Sequence, residues 1–365
     1  MIERVFIDNV WSFVNFEWRP GPLVMLLGSN GAGKTALLDV IRSVQKLVLG
    51  EAPLAAIFPD RSRTRWDDRR EQTIEIDIRG NGGLYRYGLI VDHDPRYPGK
   101  PVIIRERLTF DDAWVLEVDG GELHQFTDTG AEPNAPARIK ATRSGIRTVE
   151  ATNELKRLMW FKWWISGLWV LRPDPRVMDA KIEGMAADVL ADNMVNFAAW
   201  YVYQLRQKPG IMFKANQALA QIIPGFLELC EQNGHLRARF GDENNHHSFG
   251  YGHLSDGQKT LIALYIVRHM AAVPGKTLLI DEPDNYVTIR EIQPWMMEVA
   301  EAALRKDGPQ VWIVSHHPEK MNPLARDYGW VFYREGAGPT QVKRMTPPDA
   351  PDVAAEPTVR RPEDV

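Results

Sequence analysis

The sequence has little of several features that mark particular classes of protein. Its 365 residues include one cysteine, Cys230, so no internal disulfide can form and we expect a reducing, cytoplasmic environment. No apolar run approaches the roughly 18 residues that a membrane-spanning helix requires, so membrane insertion is not expected. With a formal net charge of −4, the chain lacks the strong basic field of many nucleic-acid-binding proteins. A signal-peptide pattern, internal repeats and sustained heptads are also missing.

A glycine-rich segment joins an apolar run to a helical pattern and fits Gly-x-x-x-x-Gly-Lys-Thr. Its members are Gly28, Ser29, Asn30, Gly31, Ala32, Gly33, Lys34 and Thr35. Glycines allow backbone angles that a Cβ forbids, so consecutive N–H groups can point at phosphate oxygens. Lys34 would reach the β- and γ-phosphates of a nucleotide, and the Thr35 hydroxyl would hold Mg²⁺. The alternative is a glycine-rich turn with a stray lysine, but the flanking strand and helix favour a nucleoside triphosphate site.

A second apolar run, 278–280, ends in the acidic pair Asp281 and Glu282. The first carboxylate at such a strand end typically holds the water shell of Mg²⁺, so Asp281 is predicted as a metal ligand beside Thr35. Glu282 is predicted to be the general base that orients or deprotonates the attacking water. The alternative is an exposed acidic strand end with no catalytic role.

Polar segments on either side of this strand are further candidates for contacts with the nucleotide. Ser255, Gly257 and Gln258 stand at the start of a predicted amphipathic helix, where a hydroxyl and backbone N–H groups can cradle an anion. Ser255 by itself would be read as a helix cap. His316 follows the next apolar run and could contact the γ-phosphate, although a histidine there is more often a structural hydrogen-bonding residue.

The rest of the chain predicts short strands and helices. Strands are expected at 2–8, 13–18, 23–27, 73–78, 85–91, 102–108, 114–118, 277–281 and 310–315, and helices at 33–48, 191–207, 210–222, 256–272 and 289–305. The last two strands lack alternation, which is typical of a parallel sheet covered on both faces. Within a helical pattern at 158–171, Trp160, Trp163 and Trp164 are interpreted as a buried stripe, with an exposed docking face as the alternative. The basic runs 61–70 and 138–147 predict solvated surface or, alternatively, contacts with a phosphate backbone.

The order of these motifs resembles the ATPase heads of the ABC type, in which 254–258 corresponds to the signature and His316 to the histidine switch. The chain is similar to the RecF/SMC-like and OLD-type AAA-family ATPases. The segments that carry this likeness are Ile7-Asp8-Asn9-Val10-Trp11-Ser12-Phe13, 193–199 with 223–226, and Ser315-His316-His317-Pro318. Trp11 departs from the arginine usual in that family, and Gln72 and Gln125 are candidates for its switch glutamine.

The resemblance implies an α/β fold, a P-loop NTPase with an ABC-ATPase-like core sheet, an antiparallel β subdomain and a helical lobe. On this basis we divide the chain into an N-terminal nucleotide-binding half (1–148), a helical lobe (149–252), a C-terminal nucleotide-binding half (253–345) and a disordered tail (346–365). ATP and Mg²⁺ are the implied cofactors, and ATP hydrolysis is the implied activity.

The resemblance also implies a homodimer in which the signature of one copy completes the ATP site of the other. A stand-alone head, without long coiled-coil arms or a Toprim nuclease, implies prokaryotic anti-phage defence or DNA repair with a separately encoded effector such as a nuclease. DNA is a further expected partner. Two other functions stay open, the ATPase subunit of a membrane transporter and a scaffold that binds ATP without hydrolysis. The long segment between Lys34 and Ser255 argues against the first, and the intact Lys34, Asp281 and Glu282 argue against the second.

Overall fold

The computed structural model describes residues 1–132, 135–150, 152–184, 188–242, 244–316 and 324–345. The strands are β1 (Ile2–Asp8), β2 (Phe16–Trp18), β3 (Leu23–Leu27), β4 (Glu71–Gly80), β5 (Gly83–Asp92), β6 (Val102–Phe110), β7 (Ala113–Asp119), β8 (Glu122–Gln125), β9 (Ala137–Arg138), β10 (Leu168–Leu171), β11 (Phe226–Gln232), β12 (His235–Gly241), β13 (His246–Gly250), β14 (Thr277–Asp281), β15 (Gln310–Val314), β16 (Gly329–Arg334) and β17 (Thr340–Arg344). The helices are α1 (Lys34–Leu49), α2 (Leu54–Ile57), α3 (Gly145–Thr148), α4 (Lys156–Ser166), α5 (Phe197–Gln207), α6 (Pro209–Ile222), α7 (Asp256–Ala271) and α8 (Ile289–Leu304).

The described chain divides into two compact units. Unit 1 contains residues 1–21, 26–168 and the described residues from 328 onward, and unit 2 contains 22–25 and the described part of 169–327. The predicted tail at 346–365 lies outside the described residues, as do His317 and Pro318 of the histidine segment. Within the described ranges, none of the helices has both the length and the apolar character needed to span a bilayer.

Unit 1 is built on an eight-stranded antiparallel sheet in the order β2-β1-β4-β5-β6-β7-β8-β9, which confirms the predicted antiparallel β subdomain. Alternate residues of β4 (Ile74, Ile76 and Ile78) are buried, as expected of a strand with one face on a core. Glu106 of β6 is also fully buried and accepts hydrogen bonds from the Tyr87 hydroxyl (3.0 Å), the Ser144 hydroxyl (2.7 Å) and the Gly145 N–H (2.6 Å). Burial raises the pKa of the Glu106 carboxyl above its ordinary value.

The tryptophan stripe of α4 is only partly buried. Trp164 is 5% exposed, and Trp160, half-buried, stacks on Tyr85 with 4.8 Å between the ring centroids. Trp163 is 53% exposed, so the prediction of a fully buried stripe was wrong at this position. Adjacent helical residues point about 100° apart, and the buried face of α4 follows Leu158, Phe161, Trp164 and Ile165 instead. The helix ends before Gly167, and the chain continues as strand β10.

Unit 2 contains a pair of parallel strands, β14 and β15, whose residues are all buried. The strand order is β10-β14-β15-β3, and β14 pairs with β15 from Thr277 opposite Gln310 to Asp281 opposite Val314. All ten residues of β14 and β15 are buried, which confirms the prediction of covered parallel strands. Helix α7 is buried on nearly all sides rather than amphipathic, and Trp295 of α8 donates its indole N–H to the Leu264 carbonyl of α7 at 2.9 Å.

A smaller antiparallel sheet, β11-β12-β13, follows α5 and α6 in the same unit. The sequence of 235–251 predicts a short hairpin, which β12 and β13 form. Strand β11 was missed because its run, FLELCEQ, mixes apolar and acidic residues. Pro209 begins α6, where its missing N–H costs nothing, and Lys208 alone separates that helix from α5.

Candidate active site

The glycine-rich loop between β3 and α1 adopts backbone angles that side chains rarely allow. Gly28, Gly31 and Gly33 have φ values of 134°, 76° and 104°. Ser29, Asn30 and Gly31 are exposed, whereas Ala32 is 2% exposed. The apex of the loop therefore faces solvent while its base is anchored in unit 1.

The hairpin of β16 and β17 packs directly against this loop. A Cβ at Gly28 would overlap the carbonyl oxygen of Phe332, and a Cβ at Gly33 would lie 2.5 Å from Thr340 Oγ1 and 2.9 Å from Thr340 Cγ2. Thr340 also donates from Oγ1 to the Ala32 carbonyl at 3.1 Å. Sequence reasoning missed this hairpin, although Phe332 lies in a short apolar run that could have predicted a strand.

Lys34 lies over the loop rather than pointing away from it. The residue is 3% exposed, and its Nζ donates to the carbonyls of Gly28 (2.6 Å) and Ser29 (2.9 Å). Thr35, the next residue of the first turn of α1, is half-buried. The ammonium group and the partial positive charge of the helix N-terminus therefore act at the same place, which favours binding of an anion.

Asp281 is the last residue of β14 and is 2% exposed. A buried carboxylate is costly unless a partner compensates its charge. Arg172, directly after β10, supplies that partner, because its Nε donates to Asp281 Oδ2 at 2.9 Å. Sequence reasoning missed Arg172, since 109 residues separate the two side chains and no local pattern relates them.

Glu282 has a strained backbone and a carboxylate engaged on both oxygens. Its φ of 51° is unusual for a residue other than glycine, a strain often found at functional sites. The Glu282 N–H donates to the Val314 carbonyl at 2.9 Å. Oε1 of the carboxylate contacts His316 Nε2, and Oε2 accepts a hydrogen bond from Asn285 Nδ2 at 2.5 Å. The structure thus brings Glu282 and His316 together and adds Asn285, which sequence reasoning did not single out.

A buried polar contact fixes the chain on which His316 stands. Asp284 is fully buried and accepts a hydrogen bond from the Ser315 hydroxyl at 2.7 Å. This bond ties the turn after β14 to the end of β15. The positions of Glu282 and His316 therefore depend on each other through their neighbours as well as directly.

The signature segment begins α7. Ser255 Oγ accepts from the Gln258 N–H (3.2 Å), and Gln258 Oε1 accepts from the Ser255 N–H (3.1 Å), so the two residues form a capping box. A Cβ at Gly257 would lie 2.8 Å from the Tyr286 carbonyl oxygen. Within one chain Ser255 has the contacts of a helix cap, and Gly257 allows the close approach of the turn after β14.

The candidate glutamines both lie in unit 1. Gln72 is 1% exposed, and its amide contacts Asn9 O (3.0 Å), Ser62 Oγ (3.2 Å) and His93 Nε2 (2.8 Å). Gln125 is half-buried at the end of β8. Gln72 therefore holds the N-terminal turn in place through its own side chain.

No protein-family model matches the sequence, and no curated protein matches it. Solved structures do match. A Smc head bound to the C-winged-helix domain of ScpA has a TM-score of 0.53 at 13% identity, over 94% of this chain and 97% of that one. The SMC head domain of Thermotoga maritima gives 0.49 at 12% identity, over 94% and 98%. A Smc head with an extended coiled coil, bound to the C-terminal domain of ScpA from Pyrococcus furiosus, gives 0.48 at 12% identity, over 94% and 96%.

Proposed function

Since the chain has the fold of an SMC head, that of the ABC-type P-loop ATPases, we propose that it binds and hydrolyses Mg²⁺-ATP as a dimerising switch. The observation that carries the proposal is the phosphate loop. Three glycines with positive φ shape this loop, and its apex is exposed. Lys34, at the start of α1, places its Nζ 2.6 and 2.9 Å from two carbonyl oxygens of the loop. This is the arrangement that receives the β- and γ-phosphates in P-loop proteins.

The oxygen donors of the site suit Mg²⁺. This ion prefers oxygen ligands and is usually held by one or two protein groups beside the phosphates. We assign the Thr35 hydroxyl and the Asp281 carboxylate to it, and Arg172 Nε lies 2.9 Å from Asp281 Oδ2. When bound, the ion would neutralise charge on the phosphate oxygens.

Catalysis is assigned to Glu282, with Lys34 stabilising charge on the transferred phosphoryl group. A general base needs a carboxylate held within hydrogen-bond reach of water. Asn285 holds one oxygen of Glu282, and His316 contacts the other, so the carboxylate has a fixed direction. His316 would exchange this contact for one with the γ-phosphate when ATP binds.

We assign dimerisation to the N-terminus of α7. Ser255, Gly257 and Gln258 would meet the ATP held by Lys34 of a second copy, since a helix N-terminus and a hydroxyl suit an anion. ATP would then hold the two copies together. The solved Smc head bound to a domain of ScpA supports a further, separately encoded partner for this chain. We propose that this partner is an effector such as a nuclease, in prokaryotic anti-phage defence or DNA repair in the cytoplasm, with DNA as a further ligand.

Two matched pairs of variants test the ATPase. Lys34→Ala should remove most of the ATP affinity of the phosphate loop in isothermal titration, whereas Lys156→Ala, which removes an exposed lysine at the start of α4, should leave that affinity unchanged. Glu282→Gln should keep ATP binding and lose about two to four decades of turnover. Glu301→Gln removes a carboxylate from an exposed pair with Arg305 and is its control. Normal turnover in Glu282→Gln would contradict the assignment of the base.

A mixing experiment tests the composite site. Lys34→Ala and Ser255→Arg should each be inactive, but a mixed dimer contains one site built from the intact Lys34 of one chain and the intact Ser255 of the other. Random pairing makes about half of the dimers mixed, so up to about a quarter of normal sites should return. ATP-dependent cross-linking would detect this recovery. If mixtures stay as inactive as the separate variants, Ser255 is a helix cap and the shared site is wrong.

A further inference from the structure

A cavity of about 750 Å³ lies in unit 1 at the C-terminal end of α1. Leu47, Gly50 and Glu51 contribute to it from the end of α1 and the residues after it. Helix α1 has 16 residues, so about 24 Å of helix separates this cavity from the phosphate loop. It is therefore a different site, and its volume falls in the range of roughly 300–1,000 Å³ that is usual for small-molecule pockets.

Four cationic side chains line this cavity, namely Lys100, Lys140, Arg143 and Arg147. Among the residues that the structure describes, none forms an ion pair or hydrogen bond with their charged groups. The lining also contains Glu51, but that carboxylate is paired with Arg42 at 2.9 Å. Since the whole chain carries a net charge of −4, the cavity is a local concentration of positive charge, and a bound anion would relieve the repulsion within it.

Part of the cavity wall is apolar. Leu47 (3% exposed) and Leu54 (1% exposed) belong to its lining, together with Pro53 and Pro101. A site that offers both an apolar wall and converging cations suits a ligand with an apolar body and a compact anionic end.

The Arg147 guanidinium lies against the turn that ends α1. Gly50 has a φ of 68°, and a Cβ at Gly50 would overlap the guanidinium of Arg147. The guanidinium therefore packs directly on the glycine, and a planar guanidinium is suited to two-pronged recognition of phosphate.

We propose that this cavity binds a small organic phosphate, with its phosphate groups on Lys140, Arg143 and Arg147 and its apolar part against Leu47 and Leu54. A nucleotide has this chemistry. The cations line one cavity, whereas a nucleic acid backbone needs positive charge spread along a surface. The site would place a second ligand at the opposite end of the helix that begins at the phosphate loop.

The test uses the full chain with Lys34→Ala, so that binding at the phosphate loop is suppressed, and ADP as the probe in isothermal titration. Changing Lys140 and Arg143 to alanine in this background should weaken ADP binding at least about tenfold, because two charged contacts with its phosphate groups are lost. Both side chains are exposed, so the variant should fold, which its melting temperature will confirm. The matched control changes Arg61 and Arg65, two exposed arginines outside the cavity, and should bind ADP like the parent.

Pyrophosphate and adenosine, titrated separately, distinguish the two parts of the site, and each should bind more weakly than ADP. Equal loss of ADP binding in the cavity variant and in the Arg61/Arg65 control would overturn the proposal, as would no ADP binding in the Lys34→Ala background. Cavity-dependent binding of a DNA duplex without binding of ADP would also overturn it and identify the surface as a nucleic acid contact.

Discussion

The packing of the phosphate loop on β17 predicts that two of its glycines respond very differently to the same substitution. Gly33→Ala places a Cβ 2.5 Å from Thr340 Oγ1 and 2.9 Å from Thr340 Cγ2, at a φ of 104°. Gly31→Ala has a φ of 76°, but its Cβ meets no atom within 4 Å. Both variants therefore carry a backbone cost, and only Gly33→Ala adds a steric one.

The two costs can be estimated separately. A left-handed backbone costs a residue with a Cβ about 1–2 kcal/mol, and overpacking in a well-packed region costs about 1–3 kcal/mol. Gly31→Ala should therefore lose about 1–2 kcal/mol of stability, and Gly33→Ala about 2–5 kcal/mol. Thr340→Ser should recover part of the second loss, because it removes Cγ2 and keeps the hydroxyl that donates to Ala32.

Urea unfolding of the nucleotide-free protein, followed by tryptophan fluorescence, measures these differences. From most to least stable, the expected order is wild type, Gly31→Ala, the double variant Gly33→Ala/Thr340→Ser, and Gly33→Ala. Equal destabilisation by Gly31→Ala and Gly33→Ala would refute the argument, since it would mean that β17 does not press on the loop. Failure of Thr340→Ser to recover stability would point to the retained Oγ1, which lies closest to the added Cβ, at 2.5 Å.

Three other predictions concern separate features of the molecule. Asn285→Ala should lower ATP turnover about tenfold with unchanged ATP affinity, because a partly exposed charge-assisted hydrogen bond to Glu282 is lost, and steady-state kinetics with titration would check it. Burial raises the pKa of the Glu106 carboxyl, so the folded state binds a proton on this group more tightly than the unfolded state does. The contribution of the protonated Glu106 to stability is therefore full below pH 4.5 and is lost as the pH rises through the folded-state pKa. Urea unfolding across that range should show a weaker dependence on pH in Glu106→Gln. DNA binding through 61–70, the basic run outside the cavity, should be weak and fall steeply with salt in fluorescence anisotropy, and salt-independent binding would contradict it.

Local sequence patterns predicted the elements that carry the site with good accuracy. Strands β3 and β14 have the predicted bounds, because four or five apolar or β-branched residues between turn signals leave little choice of structure. Helix α1 begins one residue after the predicted start, at the point where Gly33 ends the loop. The glycine pattern also predicted positive φ, since its spacing is tied to a specific backbone conformation.

Local sequence patterns could not predict contacts between residues that are far apart in the sequence. Arg172 and Asp281 are 109 residues apart, and the pairing depends on the adjacency of β10 and β14. Thr340 supports Ala32 across 308 residues for a similar reason. Helix α7 was expected to be amphipathic, but Lys259 within it is 6% exposed and donates to the Pro175 carbonyl and to Asp256. A charged residue can be buried when partners are available, which periodicity does not reveal.

Glu282 and His316 lie in contact because of the register of the strands that precede them, not because of the type of either residue. Asp281 lies opposite Val314 in the parallel pair of β14 and β15, so the residues that follow both strands leave the sheet at the same edge. That edge, at the carboxyl ends of parallel strands, is where open α/β sheets bind their ligands. A shift of one strand by a single residue would reverse the faces of its side chains and separate the ends. The ten buried residues of the two strands oppose such a shift, and the bond between Ser315 and Asp284 adds a polar lock beside it. The apolar sequence of β14 and β15 therefore does more than fill a core, because it fixes the distance between the proposed base and the histidine that contacts it.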